Sequence, residues 1–169
     1  MIEELDASKE NIIDMFKKTL YESDNTPEEK LKLIELNEYI DFVDALFILQ
    51  DFLQKNEILD YQITSLLVDY SEKITKINTC KEYNNDALLI LLYSSVLLYN
   101  DLSNPVIKKK LKLKNFIKMM NGCNNKKDFP IDFLTHIYNK IYDRIKSYNI
   151  KDNILHSNDE LNKKKCYIL

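Results

Sequence analysis

Apolar residues in this chain recur mostly at helical spacing, and that pattern predicts its elements. Ile12, Ile13, Phe16 and Leu20 mark a first amphipathic helix. Thr26-Pro27-Glu28-Glu29 opens a second, with threonine as N-cap, proline at the first helical position and a glutamate three residues after the cap. Ile40, Val43, Leu46, Phe47 and Leu49 predict a third helix from about Tyr39 to Phe52, and Ile63, Leu66, Leu67, Tyr70, Ile74 and Ile77 a fourth. Asn84, Asn85 and Asp86 can cap a fifth, which is apolar on nearly all sides from Ala87 to Leu98. A helix without a polar face is expected at the centre of a core.

Pro105 ends that helix or closely follows its end, because a proline pushes the residue before it out of the helical region. A lysine-rich segment leads to a shorter helix around Leu113 to Met120, and Gly122 stands where a helix ends and the backbone turns left-handed. Pro130 opens a last long helix with Phe133, Leu134, Ile137, Tyr138, Ile141 and Ile145 on one stripe. Beyond about Ser147 the chain turns polar and lysine-rich, which predicts a flexible tail.

Composition narrows the class. The 169 residues contain one glycine and three prolines, too few for a turn-rich β architecture, so the expected fold is all-α in a single domain. A formal charge of −3 gives no general basic field for nucleic acid, although lysines crowd Lys108 to Lys114 and Lys163 to Lys165. Cys80, Cys123 and Cys166 are odd in number and far apart, which fits a reducing compartment better than a disulfide framework or paired zinc knuckles. His136 and His156 have no partners at ligand spacing, so neither a metal nor a cofactor is expected, and His136 belongs on the polar side of the last helix. The acidic start Met1-Ile2-Glu3-Glu4-Leu5-Asp6 lacks the features of a signal peptide, and the longest apolar stretch, Ala87 to Tyr99, is shorter than the roughly 20 residues that cross a bilayer. A cytoplasmic protein, monomeric and without a nucleic-acid partner, is the expectation.

The segment Tyr93-Ser94-Ser95-Val96-Leu97-Leu98-Tyr99-Asn100-Asp101-Leu102-Ser103-Asn104-Pro105 is specific beyond its periodicity. It resembles the second signature of the Sec seven domain, Y-S-x-x-M-L-N-T-D-L-H-N-P, with identities at Tyr93, Ser94, Leu98, Asp101, Leu102, Asn104 and Pro105 and a near match at Leu97. The likeness continues through Lys110, Leu113, Phe116-Ile117, Asn121-Gly122, Asn124, Asp128, Pro130, Phe133-Leu134, Ile137-Tyr138 and Ile141. It is clear over residues 87–145 and weaker back to about Ile40; the helices before the first signature are shorter and fewer than the family's. The resemblance implies a single right-handed stack of about seven to nine helices over residues 1–147, a tail over 148–169, and guanine-nucleotide exchange on an Arf-family small GTPase.

In that family a glutamate from a first signature, F-R-L-P-G-E, enters the GTPase's phosphate site. Counting forward from Phe52 assigns the role to Glu57; counting back from Ile63, Leu66, Leu67 and Tyr70 puts the slot at Leu59, between Glu57 and Asp60. Glu57 is therefore the first candidate and Asp60 the second, and the alternative for Glu57 is an exposed acidic residue opening a helix. The family's leucine-proline-glycine turn is missing. The resemblance also implies a GTPase-binding groove at Tyr93, Leu97, Asp101 and Asn104, against core packing for the first two and a helix-ending turn for Asn104. Brefeldin A, a fungal lactone that inhibits some members, would meet Tyr93, Ser94 and Asp101, and at least partial sensitivity is expected.

Cys166-Tyr167-Ile168-Leu169 fits a geranylgeranylation box, with Lys163, Lys164 and Lys165 as the basic patch a single lipid needs for stable anchoring on the cytosolic face of a membrane; a chance tail is the alternative. Lys108 to Lys114 fits either a solvated face or contact with anionic headgroups. Three functions stay open: an exchange factor, a degenerate module that grips the GTPase as an adaptor or sequestering protein, and a helical scaffold without that activity.

Overall fold

A computed structural model of the chain describes residues 26–56, 58 and 60–165, apart from the side chains of Asp60, Tyr61 and residues 150–165. The helix expected at Ile12 to Leu20 lies outside the described residues. The described chain forms six α-helices: α1 (Pro27–Leu33), α2 (Phe42–Lys55), α3 (Asp60–Ile74), α4 (Asn85–Ser103), α5 (Leu113–Met119) and α6 (Ile131–Lys165), with one 3-10 turn at Asn78–Cys80. Residue contacts divide the chain into two compact units, Met1–Val96 with Met120–Phe129, and Leu97–Met119 with Pro130–Leu169.

In the first unit, α1 begins where the sequence predicts. The Glu29 amide donates to Thr26 Oγ1 at 3.3 Å and the Thr26 amide donates to Glu29 Oε2 at 2.9 Å, closing a capping box worth about 1 kcal/mol. Seven residues of helix are too few to persist unaided. Helix α3 supplies the support: Lys73 Nζ donates to the carbonyls of Lys32 (3.2 Å) and Ile34 (2.9 Å), and Gln62 Nε2 donates to Glu28 Oε1 (2.7 Å). Helix α2 starts at Phe42, later than its apolar pattern suggests, because Asp41 and Asp44 form a second capping box with Asp41 as N-cap. Aspartates at both ends of the box escape a search for serine or threonine followed by glutamate.

The core of this unit joins Leu46, Leu49 and Phe52 of α2 to Leu66, Leu67, Tyr70 and Ile74 of α3 and Leu88, Leu91 and Leu92 of α4, all at most 1% exposed. Each such side chain contributes about 1.5–3 kcal/mol of transfer free energy. The Tyr70 hydroxyl donates to the Ala45 carbonyl at 2.7 Å, so α3 is tied to α2 by a buried hydrogen bond, and burial pushes its phenol far above the ordinary range. Cys80 is a buried thiol, also pushed up by burial, to about 11. In the turn after α5, Gly122 has φ +71° and its amide donates to Asp128 Oδ1 at 2.7 Å. A Cβ at Gly122 would meet nothing within 4 Å, so backbone conformation alone asks for glycine. Phe129 closes the turn against Tyr83, ring centroids 5.2 Å apart.

The second unit is built on α6. Leu134, Ile137, Ile141 and Ile145 form its buried stripe, and Phe116 of α5 is fully buried and lies 6.2 Å, centroid to centroid, from Tyr138. His136 is exposed, on the polar side as expected. The backbone of α6 continues as helix to Lys165, through the polar segment that the sequence assigns to a tail.

Candidate functional site

Helix α4 carries the second signature and begins with an N-cap: Asn84 Oδ1 accepts from the Ala87 amide at 2.8 Å. Ser71 of α3 donates to Asn85 Oδ1 at 2.9 Å, fixing this end to its neighbour. The helix is long and apolar enough by length and composition to cross a membrane, a property its shorter apolar stretch does not suggest, but 56% of its 18-residue apolar window is buried inside the protein. Leu88, Leu91, Leu92, Ser95 and Leu98 point inward, and Ser95 satisfies its hydroxyl by donating to the Leu91 carbonyl at 2.7 Å.

The helix is not buried all round. Ile90, Tyr93 and Leu97 are 42%, 48% and 47% exposed. Spaced three and four residues apart, they form a single stripe, continued by the exposed Asn100 and Asn104. Core packing therefore does not explain Tyr93 and Leu97. Ser94, beside the stripe, is buried.

Just past α4 the signature becomes a clasp. Asp101 Oδ2 accepts the Leu111 amide at 2.7 Å, and Lys110 Nζ donates to the carbonyls of Asp101 (2.6 Å) and Asn104. Asn104 Oδ1 accepts the Val106 amide at 2.9 Å across Pro105, an Asx turn that reverses the chain. The Tyr138 hydroxyl of α6 donates to the Leu111 carbonyl at 2.8 Å. Burial, followed by neighbouring Tyr142, pushes the Tyr138 phenol upward, so it stays a donor at neutral pH. Asp101 and Asn104 thus spend carboxylate and amide oxygens on holding residues 104–111: the turn at Asn104 is the alternative the sequence offered, whereas the use of Asp101 is one that spacing does not reveal.

Glu57 lies outside the described residues, as does the Asp60 side chain. Their setting is defined: α2 ends at Lys55, with Asn56 as C-cap, and Asp60 is the first residue of α3. In sequence Glu57 stands between α2 and α3, while Asp60 opens α3, where the positive end of the helix dipole favours a carboxylate. Cys166 also lies outside the described residues, and of Lys163, Lys164 and Lys165 only the helical backbone is described. Among the described residues no cluster of His, Cys, Asp and Glu is arranged to hold a metal.

Comparison with known proteins gives this arrangement a context. The model of the Sec7 domain matches residues 3–145. The ADP-ribosylation factor guanine nucleotide-exchange factor sec72 of Schizosaccharomyces pombe is 38% identical over 101 residues, 59% of this chain and 5% of that protein. Brefeldin A-inhibited guanine nucleotide-exchange protein 1 of Homo sapiens is 41% identical over 56 residues, 33% of this chain and 3% of that protein. The chain therefore spans only a small fraction of the length of these curated relatives. Among solved structures, the Sec7p catalytic domain superposes with a TM-score of 0.61 at 23% identity, covering 78% of each chain. A Sec7 domain bound to ARF1-GDP and brefeldin A superposes with a TM-score of 0.57 at 26% identity, covering 68% of this chain and 57% of that one.

Proposed function

The chain belongs to the Sec7 domain family of Arf guanine-nucleotide exchange factors, and from that membership we propose that it promotes GDP release from an Arf-family small GTPase. The observation that carries the proposal is the outer stripe of α4: Ile90, Tyr93 and Leu97 stand exposed on a helix whose other apolar residues are buried. Three apolar side chains in helical register cost solubility and give no packing in return, which is what a docking surface requires. Asn104, exposed at the end of the same line, adds a polar contact through its amide nitrogen, since its oxygen is spent on Val106.

Exchange makes no covalent bond. A GTPase holds GDP through a lysine and a magnesium ion at the phosphates, and release is accelerated by a partner that binds the nucleotide-free state better than the loaded one. A carboxylate brought within about 4 Å of a phosphate repels it by roughly 4 kcal/mol at an effective dielectric of 20. The same carboxylate can take over the lysine, and it competes for the magnesium. Glu57, between α2 and α3 in sequence, is the first choice for this role and Asp60, the first residue of α3, the second. The address that suits this activity is the cytosolic face of a membrane, with Cys166 and Lys163 to Lys165 as the anchor; label incorporated from a geranylgeranyl donor into the intact protein but not into Cys166→Ser tests that anchor.

The deciding experiment follows release of a fluorescent guanine nucleotide from a soluble Arf GTPase with wild-type protein, Glu57→Lys and Asp60→Lys. Acceleration lost only in Glu57→Lys identifies the exchange carboxylate; loss only in Asp60→Lys transfers the role. A second reading, an adaptor that grips the GTPase without exchange, draws on the Asn56-Glu57-Ile58-Leu59 sequence in place of a proline-glycine turn. Binding without acceleration by the wild type would establish it.

A further inference from the structure

The second unit contains an open cleft of about 500 Å³ between the segment after α4 and helix α6. Its floor is apolar, made by Leu102, Leu111, Ile145 and the rings of Tyr138 and Tyr142. Its rim is basic: Lys108, Lys109, Lys110 and Lys112 come from the segment and Lys146 from α6. Lys110 is spent on the carbonyls of Asp101 and Asn104. The other four lysines are exposed, and among the described residues none of their ammonium groups makes a hydrogen bond or ion pair.

This concentration is not a consequence of general basicity, since acidic residues outnumber basic ones, 27 to 24. Nor is it a loose lysine run. The bonds from the Leu111 amide to Asp101 and from the Tyr138 hydroxyl to the Leu111 carbonyl pin the segment's backbone against α6, so the ammonium groups surround one cavity. Asp101 Oδ2, in the clasp that holds the segment, is already engaged by the Leu111 amide. Like charges held around a single cleft repel, and a multiply charged anion relieves that repulsion.

We propose that this cleft binds the phosphorylated inositol headgroup of a membrane lipid. The phosphates match the four unpaired lysines, and the apolar floor with its two tyrosine rings accepts the sugar ring's carbon face. The cleft opens to solvent, as it must for a headgroup still attached to a bilayer. Lysine near an anionic membrane surface contributes about 1 kcal/mol per residue. The site is independent of nucleotide exchange, and its failure would leave the exchange proposal untouched.

The test uses the full chain, unlipidated, sedimented with vesicles of phosphatidylcholine alone, with added phosphatidylserine, or with a phosphatidylinositol bisphosphate at matched surface charge. Wild type is compared with the triple variant Lys109→Glu, Lys112→Glu, Lys146→Glu, with Lys118→Glu outside the cleft, and with the tail variant Lys163→Gln, Lys164→Gln, Lys165→Gln. The expected result is preference for the phosphoinositide vesicles, a loss of at least tenfold in the cleft variant, less than twofold in Lys118→Glu, and competition by soluble inositol trisphosphate. Wild-type binding by the cleft variant overturns the proposal, as does loss confined to the tail variant or equal binding to phosphatidylserine at matched charge. Binding of the soluble phosphate without vesicle binding overturns the membrane assignment. All substituted side chains are exposed or in the polar extension of α6, and an unchanged thermal transition separates lost binding from lost fold.

Discussion

The two faces of α4 present side chains of the same chemical kind to opposite surroundings. On the inner face Leu88, Leu91, Leu92 and Leu98 are at most 1% exposed; on the outer face Ile90, Tyr93 and Leu97 are nearly half exposed. Removal from water accounts for the first group, at about 1.5–3 kcal/mol each. It does not account for the second, whose apolar character has to be explained by something that covers it. An amphipathic helix separates its two sides by polarity, whereas this one separates them by what packs there.

Substitutions that tell the faces apart sharpen this contrast. The largest effect belongs to the inner face: Leu92→Ala should destabilise the protein by about 2–5 kcal/mol in chemical denaturation, through lost transfer energy and the cavity left behind. Next comes the clasp that follows the helix. Asp101→Ala leaves the Leu111 amide without its acceptor and should cost about 1–3 kcal/mol, with faster proteolytic cleavage between 104 and 111 as a local readout. On the outer face, Tyr93→Ala and Leu97→Ala should change stability by no more than about 0.5 kcal/mol. Their effect should fall on affinity for an Arf GTPase, at least tenfold for the pair, or about 1.4 kcal/mol. A large stability loss with unchanged affinity would remove the distinction between the faces. The smallest effect is expected from brefeldin A: exchange should slow a few-fold at high inhibitor concentration, more in Leu97→Met, and an unchanged rate would refute the partial sensitivity.

Much of the fold is legible from local chemistry. The start of α1 follows from Thr26-Pro27-Glu28-Glu29, the end of α4 from Pro105, the left-handed turn from Gly122 and the start of α6 from Pro130, because caps and restricted backbones act within a few residues. The start of α2 was less legible, since a box of two aspartates departs from the usual pattern. The candidate site was legible only as a resemblance: Tyr93, Leu97, Asp101 and Asn104 share a motif, but two are exposed apolar residues and two hold a loop.

What the sequence by itself determined is the family and, among the described residues, the order of the helices and most of their starts. Tertiary structure alone decided which side of α4 faces water, because a helix apolar all round has no periodicity from which to choose a side. It also decided that Asp101 answers an amide ten residues away at Leu111, and that five lysines from Lys108 to Lys146 border one cleft. Those are contacts between segments distant in sequence, and they depend on how the chain folds back over α6 rather than on any local preference of the residues involved.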